Sequence, residues 1–362
     1  MKRISGPLLG LAISLFLGLS ACHRGNESLI EQNPTPIVES EPGDSRLVDE
    51  RIPPTLKPPP LRFVIPTMGA EPVSNWRPPL YPSPWAISPY DHFYFARPIA
   101  ADQVNWPLAD YRYGGIFFSH NVHTGVDIDA DMGTPVLATG PGTIVWAGWG
   151  LYLESHENLD DPYGLAVAIR HDFGYRNQSL FTIYAHMSEV DVTEGQWVDT
   201  GDLLGLVGST GATTGPHLHF EVRLGENSFH HTYNPELWMA PPQGWGVLVG
   251  RLLDEYGKLL NHYSINVNSV STGKQRTVLS YAGGATNNDP YYNENLVLSD
   301  LPEGLYKILL NFQGRDQQYW VTIHPGQVTY FTFKGETGFA TDQPPTPGIE
   351  LVLGTSVPTS TP

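Results

Sequence analysis

Through most of the chain, apolar and polar residues alternate in short runs with a period of two. Residues 143–147, 165–170, 181–185, 196–198 and 203–207 are short apolar runs of this kind, in a stretch punctuated by glycine. Short alternating runs punctuated this way read as antiparallel strands. No stretch between residues 91 and 240 carries the 3.6-residue apolar repeat of an amphipathic helix. A second block follows from 247 to 334. There Ile265 and Val267 alternate with Asn266 and Asn268, and the runs 305–312 and 321–323 lead to Pro325-Gly326. The pattern predicts an all-β protein with two consecutive modules, 91–240 and 245–335.

The flanks have a different texture. Residues 8–19 are a largely apolar run of 12 behind Lys2 and Arg3, followed by Leu19-Ser20-Ala21-Cys22. This resembles a bacterial lipoprotein signal with its lipobox, and 12 apolar residues fall short of the roughly 20 that span a bilayer. Cys22 is the only cysteine of the chain, which excludes a disulfide framework or a cysteine-based zinc site. Residues 1–22 are therefore expected to be a signal peptide and Cys22 the acylated first residue of an exported, membrane-tethered protein. Acyl chains anchor durably, each buried methylene adding about 0.8 kcal/mol. Between residues 34 and 89 stand 15 prolines, so 23–90 reads as an extended connector. Trp76, Tyr81 and Trp85 at its end either pack on the next module or lie exposed. The tail 336–362 returns to Pro, Thr and Ser and reads as disordered.

Charge narrows the partners. The 362 residues carry 20 Lys plus Arg against 37 Asp plus Glu, a formal net charge of −17, which opposes binding to nucleic-acid phosphates. Most of that charge lies between residues 91 and 240, where five arginines and no lysine face 19 carboxylates. A groove in this module should favour amine-bearing peptides over anionic polymers.

Three motifs in the first module supply candidate chemistry: His123-Thr124-Gly125-Val126-Asp127, Tyr184-Ala185-His186 and His217-Leu218-His219-Phe220-Glu221. Residues two or four apart on a strand share a face. His123 and Asp127 are expected on one face with Val126 and Ile128 turned to the core, and likewise His217 and His219 with Leu218 and Phe220 turned inward. Two histidines and a carboxylate on tetrahedral zinc leave one position open for water, the catalytic rather than the structural pattern. Any one of these spacings alone also fits a surface or core histidine.

Together the motifs resemble the lysostaphin-type, or LytM-type, zinc metallopeptidase domain of family M23. Residues 123–223 carry the family's order, including Gly133-Thr134-Pro135-Val136, Gly208-Ser209-Thr210-Gly211 and Gly215-Pro216-His217-Leu218-His219-Phe220-Glu221. The resemblance implies a barrel-sandwich hybrid fold and one zinc per chain on His123, Asp127 and His219, with His186 and His217 as catalytic partners. It implies hydrolysis of peptide bonds in bacterial peptidoglycan, in stem peptides or cross-bridges. Some relatives lack metal ligands and activate cell-wall amidases, so a non-catalytic scaffold is the alternative; all five expected residues are present here.

Several features depart from the family pattern or stand beside it. The segment 151–162, with Glu154, Glu157, Asp160 and Asp161, lengthens a loop that is usually tighter, and reads as a groove wall or a solvated acidic loop. Tyr113 resembles an aromatic that precedes the zinc motif in relatives, for which structural packing is the simpler account. His171 reads as structural or as a support to the site. The second module weakly resembles a prealbumin-like β-sandwich, with no catalytic constellation of its own.

Overall fold

The computed structural model describes residues 77–88, 90–100, 111–117 and 121–340. Cys22, the signal segment, the connector up to residue 76 and the tail from 341 lie outside the described residues. As the period-two pattern predicts, the described chain is almost entirely β, its helical content limited to three single 3₁₀ turns at Phe229–His231, Pro235–Leu237 and Gly335–Thr337.

The first module is built on a nine-stranded sheet that does not close on itself. Its strands are β1 (Val126–Asp129), β2 (Pro135–Leu137), β3 (Gly142–Gly148), β4 (Leu165–Tyr175), β5 (Gln178–Val190), β6 (Trp197–Val198), β7 (Leu203–Val207), β8 (His217–Leu224) and β9 (Thr232–Tyr233). The main path runs β1-β8-β5-β4-β3-β6; β2 pairs with β7, β7 with β5, and β9 with β8. Five of these strands coincide with the runs read from the sequence, because alternation sends one side chain in two to a common core. Val126, Ile128, Leu218 and Phe220 are all fully buried in it. Burying each such side chain stabilises by about 1.5–3 kcal/mol.

The second module holds two four-stranded sheets. Strands β10 (Trp245–Leu253), β13 (Leu296–Pro302), β16 (Val328–Lys334) and β17 (Gly338–Ala340) form one in the order β13-β10-β16-β17. The other runs β12-β11-β14-β15, from β11 (Ser264–Ser269), β12 (Gln275–Leu279), β14 (Gly304–Phe312) and β15 (Arg315–Ile323). Leu248, Ile265, Leu298, Ile308 and Phe331 from both sheets fill a common core, which makes the pair a sandwich.

The two modules share a hydrophobic cluster. Phe93, Phe220 and Trp238 belong to the same packed group as Val247, Val249, Tyr292 and Tyr330. Buried ion pairs cross the seam as well: Arg97 donates to Asp300 at 2.7 Å, and His92 pairs with Asp289 at 2.9 Å. The end of the proline-rich segment joins this body too. Tyr81 stacks on Trp85 at 4.4 Å, and the Trp85 indole N–H donates to Gly326 O at 3.0 Å. Both aromatics are therefore packing residues, which settles the choice left open by the sequence for them; Trp76 lies outside the described residues.

Candidate metal centre

Strands β1 and β8 lie side by side, antiparallel, with Asp127 opposite His219, Asp129 opposite His217 and Ile128 opposite Leu218. This register puts the odd-numbered residues of both strands on one face and buries the even-numbered ones. His123 precedes β1, so its place beside Asp127 comes from a bend rather than from strand periodicity. The bend passes through Gly125, where a Cβ would stand 2.9 Å from the His219 ring and closer still to Phe220 O. Only glycine lets the two strands approach this closely.

Three ligand atoms converge there. His123 Nε2 lies 2.9 Å from Asp127 Oδ1 and 3.0 Å from His219 Nδ1, and His219 Nδ1 lies 2.9 Å from Asp127 Oδ1. Ligands at about 2.0–2.1 Å from a tetrahedral ion stand roughly 3.3 Å apart, close to this triangle. The far nitrogens fix the tautomers. His123 Nδ1 is 3.2 Å from Arg112 O, and His219 Nε2 is 3.1 Å from Glu221 Oε1. Carbonyl and carboxylate oxygens only accept, so each ring donates outward and turns its lone pair toward the other ligands, as metal-binding histidines do. His123, Asp127 and His219 therefore form a group that could hold a divalent cation.

The charges agree with that role. Burial would push Asp127 up, but the neighbouring His123 and His219 hold its carboxyl well below the usual range. Burial likewise opposes a charge on His219, yet hydrogen bonds to Asp127 and Glu221 raise it to about 9. Without a metal, His219 thus carries a proton on both nitrogens at pH 7, and a cation binding at Nδ1 would displace one of them.

His186 reaches the same space by a different device. Strict alternation would send it to the core with Tyr184, whose ring packs on Phe220. Strand β5 instead bulges, its pairing shifting between Tyr184 and Met187, and His186 adopts φ 62°. A left-handed residue at a bulge re-aims its side chain. The His186 ring then sits 4.8 Å from His217 and 5.6 Å from His219. His186 Nδ1 lies 2.8 Å from Thr210 O and His217 Nδ1 lies 2.9 Å from Gly215 O. Each ring thus donates to a carbonyl through Nδ1 and leaves Nε2 with its lone pair. Burial, together with His219 and His217, lowers His186 to about 3; burial also lowers His217. Both rings are neutral at pH 7.

Beneath His219 lies a buried network that the sequence motifs contain but do not single out. Glu221 is fully buried. Its Oε1 accepts from Thr124 Oγ1, Tyr163 OH and His219, while Arg223 Nε donates to Oε2 at 2.8 Å. The signal was available, since Glu221 continues the even spacing of His217 and His219.

The cleft above these residues has a volume of about 520 Å³ and is walled by Tyr111, Phe117, Tyr152 and Phe229. Tyr152 comes from the long 151–162 segment, which is therefore a groove wall in part. Asp161 ties that segment down by accepting from Tyr152 N and Tyr163 N, and His156 stacks on Trp146 at 4.0 Å. Tyr113 is buried and donates to Thr232 O at 2.7 Å, a packing residue. His171, between Pro141 O and Thr182 Oγ1, is structural too, and burial lowers it to about 4. Among the described residues, Asp129 lines the cleft and no lysine or arginine does.

Comparison with known proteins agrees with this geometry. The profile of Peptidase family M23 matches residues 121–231. The DD-carboxypeptidase/endopeptidase Mpg of Neisseria meningitidis serogroup B is 39% identical over 127 residues, covering 35% of this chain and 26% of that protein. The Lipoprotein NlpD/LppB homolog of Pseudomonas aeruginosa is 36% identical over 118 residues, covering 33% and 35%. The chain thus spans only about a quarter to a third of these relatives. Among solved structures, the catalytic domain of lysostaphin from Staphylococcus simulans is 30% identical, covering 35% of this chain and 85% of that one, with a TM-score of 0.29. Residues 121–231, which contain every member of the histidine and aspartate cluster, thus form a Peptidase family M23 domain.

Proposed function

We propose that this chain is a zinc metalloendopeptidase that cleaves peptide bonds in bacterial peptidoglycan, holding one zinc per chain on His123, Asp127 and His219. The observation that carries this reading is the convergence of their three ligand atoms within 3.0 Å of one another on the floor of the cleft, beside two further neutral imidazoles. Bound zinc supplies Lewis acidity toward a peptide carbonyl and lowers the pKa of water at its open position.

The chain's own residues do the rest. His186 and His217 each present an unprotonated Nε2 to the cleft, able to accept a proton from attacking water. Once protonated, the same rings can donate to a developing oxyanion or to the leaving amine. Tyr152 and Phe229, edge-on at 5.4 Å, form an aromatic wall on one side. With no lysine or arginine among the described residues that line the cleft, a substrate's terminal carboxylate finds no cationic partner in them, which favours internal bonds. Asp129 offers its carboxylate to a substrate amine.

Export and lipidation at Cys22 would place this activity on the outer side of a membrane, against its polymer substrate. One relative is itself named a lipoprotein.

The test is incubation of the purified protein with cross-linked peptidoglycan, with and without chelator, and mass spectrometry of the released fragments. Chelator-sensitive cleavage of an internal peptide bond is the expected result. Retained zinc with no bond cut would instead make the chain a non-catalytic scaffold or an activator of cell-wall amidases.

A further inference from the structure

A short segment, residues 111–117, lies between the second module and the metal centre. One edge of this segment pairs with the approach to β1. Gly114 N donates to His123 O and His123 N donates to Gly115 O, both at 2.8 Å, and Asp127 N donates to Tyr111 O at 3.1 Å. The Arg112 carbonyl of the same segment is the acceptor that orients the His123 ring.

The other edge is held from the second module. Ala282 N donates to Gly114 O at 2.9 Å, and Asn287 N donates to the Tyr113 hydroxyl at 2.8 Å. The Tyr281 ring stands edge-on to Tyr113 at 5.0 Å. A Cβ at Gly114 would lie 2.7 Å from Tyr281 Cδ1 and 2.9 Å from Tyr281 Cα, so no larger residue fits between them. The Arg112 side chain pairs with Glu236, and the same Glu236 oxygen accepts from Ser299 N at 2.8 Å. Segment 111–117 is thus a backbone layer clamped between a metal ligand and the sandwich.

We propose that the second module is a working part of the metal centre: residues 281–299 fix segment 111–117 and, through the Arg112 carbonyl, set the ring of His123. Tyr113 and Glu236 are positioning residues. Neither touches the ligand triangle, and each bridges the segment to the module. Groups that orient a metal-bound histidine typically change metal affinity 10- to 100-fold when altered. The inference rests on His123 being a metal ligand, and its test separates the two ideas.

Full-length protein, stripped of metal, is titrated with zinc in competition with a chromophoric chelator, and the cobalt(II) form is examined by visible absorption. Tyr113→Phe deletes the hydroxyl between Thr232 and Asn287, and Glu236→Gln removes the charge facing Arg112. Trp320→Ala, a residue 48% exposed on the far sheet of the sandwich, is the control. The zinc Kd should rise about tenfold or more in both seam variants, with an altered cobalt spectrum, while Trp320→Ala matches wild type. Wild-type affinity and an unchanged cobalt spectrum in Tyr113→Phe and Glu236→Gln, whatever their melting temperatures, would overturn the proposal. Tyr113→Phe removes a single oxygen and carries the test alone if Glu236→Gln does not fold. A wild-type protein that takes up no zinc would overturn the metal-centre reading instead.

Discussion

Replacing Glu221 by glutamine changes one oxygen for an amide and alters no volume, yet the structure predicts a large effect. Both carboxylate oxygens are surrounded by donors: Thr124, Tyr163 and His219 on Oε1, and the Arg223 guanidinium on Oε2. Whichever way the new amide turns, its NH₂ group faces donors instead of an acceptor. Burial pushes the Glu221 carboxyl up, but Arg223 and His219 together bring it from 4.5 down to about 2, a difference worth about 3 kcal/mol. Breaking one side of a buried ion pair costs about 3–5 kcal/mol, so the two routes agree. Glu221→Gln should lower the unfolding free energy of the metal-free protein by about 3 kcal/mol, read by urea denaturation at pH 7. Because the carboxylate also fixes the His219 ring, zinc affinity measured by chelator competition should fall about 10- to 100-fold. The stability contribution of Glu221 is present above its unfolded pKa near 4.5 and is lost only as pH falls through about 2. The wild-type advantage should therefore persist at pH 5. An unchanged urea midpoint together with unchanged zinc affinity would refute the claim that this network holds His219.

Three further outcomes are expected. His219→Ala should abolish zinc retention, whereas His186→Ala and His217→Ala should keep zinc and lose turnover by about 10²–10⁴-fold; normal turnover in either of the latter would remove that residue from the mechanism. Asp129→Asn should reduce cleavage of amine-bearing substrates and leave their N-acetylated counterparts unaffected, measured as a ratio of kcat/KM values; an unchanged ratio would exclude Asp129 as the amine-reading group. Burial disfavours a charge on His92, but Asp289 at 2.9 Å raises its pKa above 6.5, and His92 in turn lowers Asp289. The pair's contribution is full below the unfolded histidine value of 6.5 and declines as pH rises through the folded His92 pKa above it, so the stability gap between wild type and His92→Gln should shrink as pH rises above 6.5; a constant gap would show that the pair does not titrate.

How much of this site could be read from the sequence depends on which physical rule placed each residue. Asp127, His217 and His219 follow strand periodicity, a local rule, and their partners Val126, Ile128, Leu218 and Phe220 are buried as the alternation requires. Glu221 obeys the same rule, but its role depends on the Arg223, Tyr163 and Thr124 side chains around it, and only the fold brings Tyr163 and Thr124 there. His123 and His186 break the rule. His123 reaches the ligand triangle through a bend at Gly125 and a backbone layer supplied by residues 111–117. His186 does so through a left-handed residue in a bulged strand. For both, the family resemblance supplied what periodicity could not.

The seam between the modules shows the same limit from the other direction. A sequence divided at residue 240 gives two self-contained β patterns, because alternation reports which face of a strand is apolar and not what that face meets. Yet the Tyr113 hydroxyl joins Thr232 O and Asn287 N, and Glu236 joins the Arg112 side chain and Ser299 N. In each case a buried polar group has its second partner in the other pattern. Buried hydrogen-bonding groups left unpaired cost about 1–3 kcal/mol each, so cutting the chain at residue 240 would expose apolar surface and orphan these groups together. Residues 111–117, which lean on the second module, are the ones that support His123. Loss of the second module should therefore act on metal binding before it acts on the strands that carry Asp127 and His219.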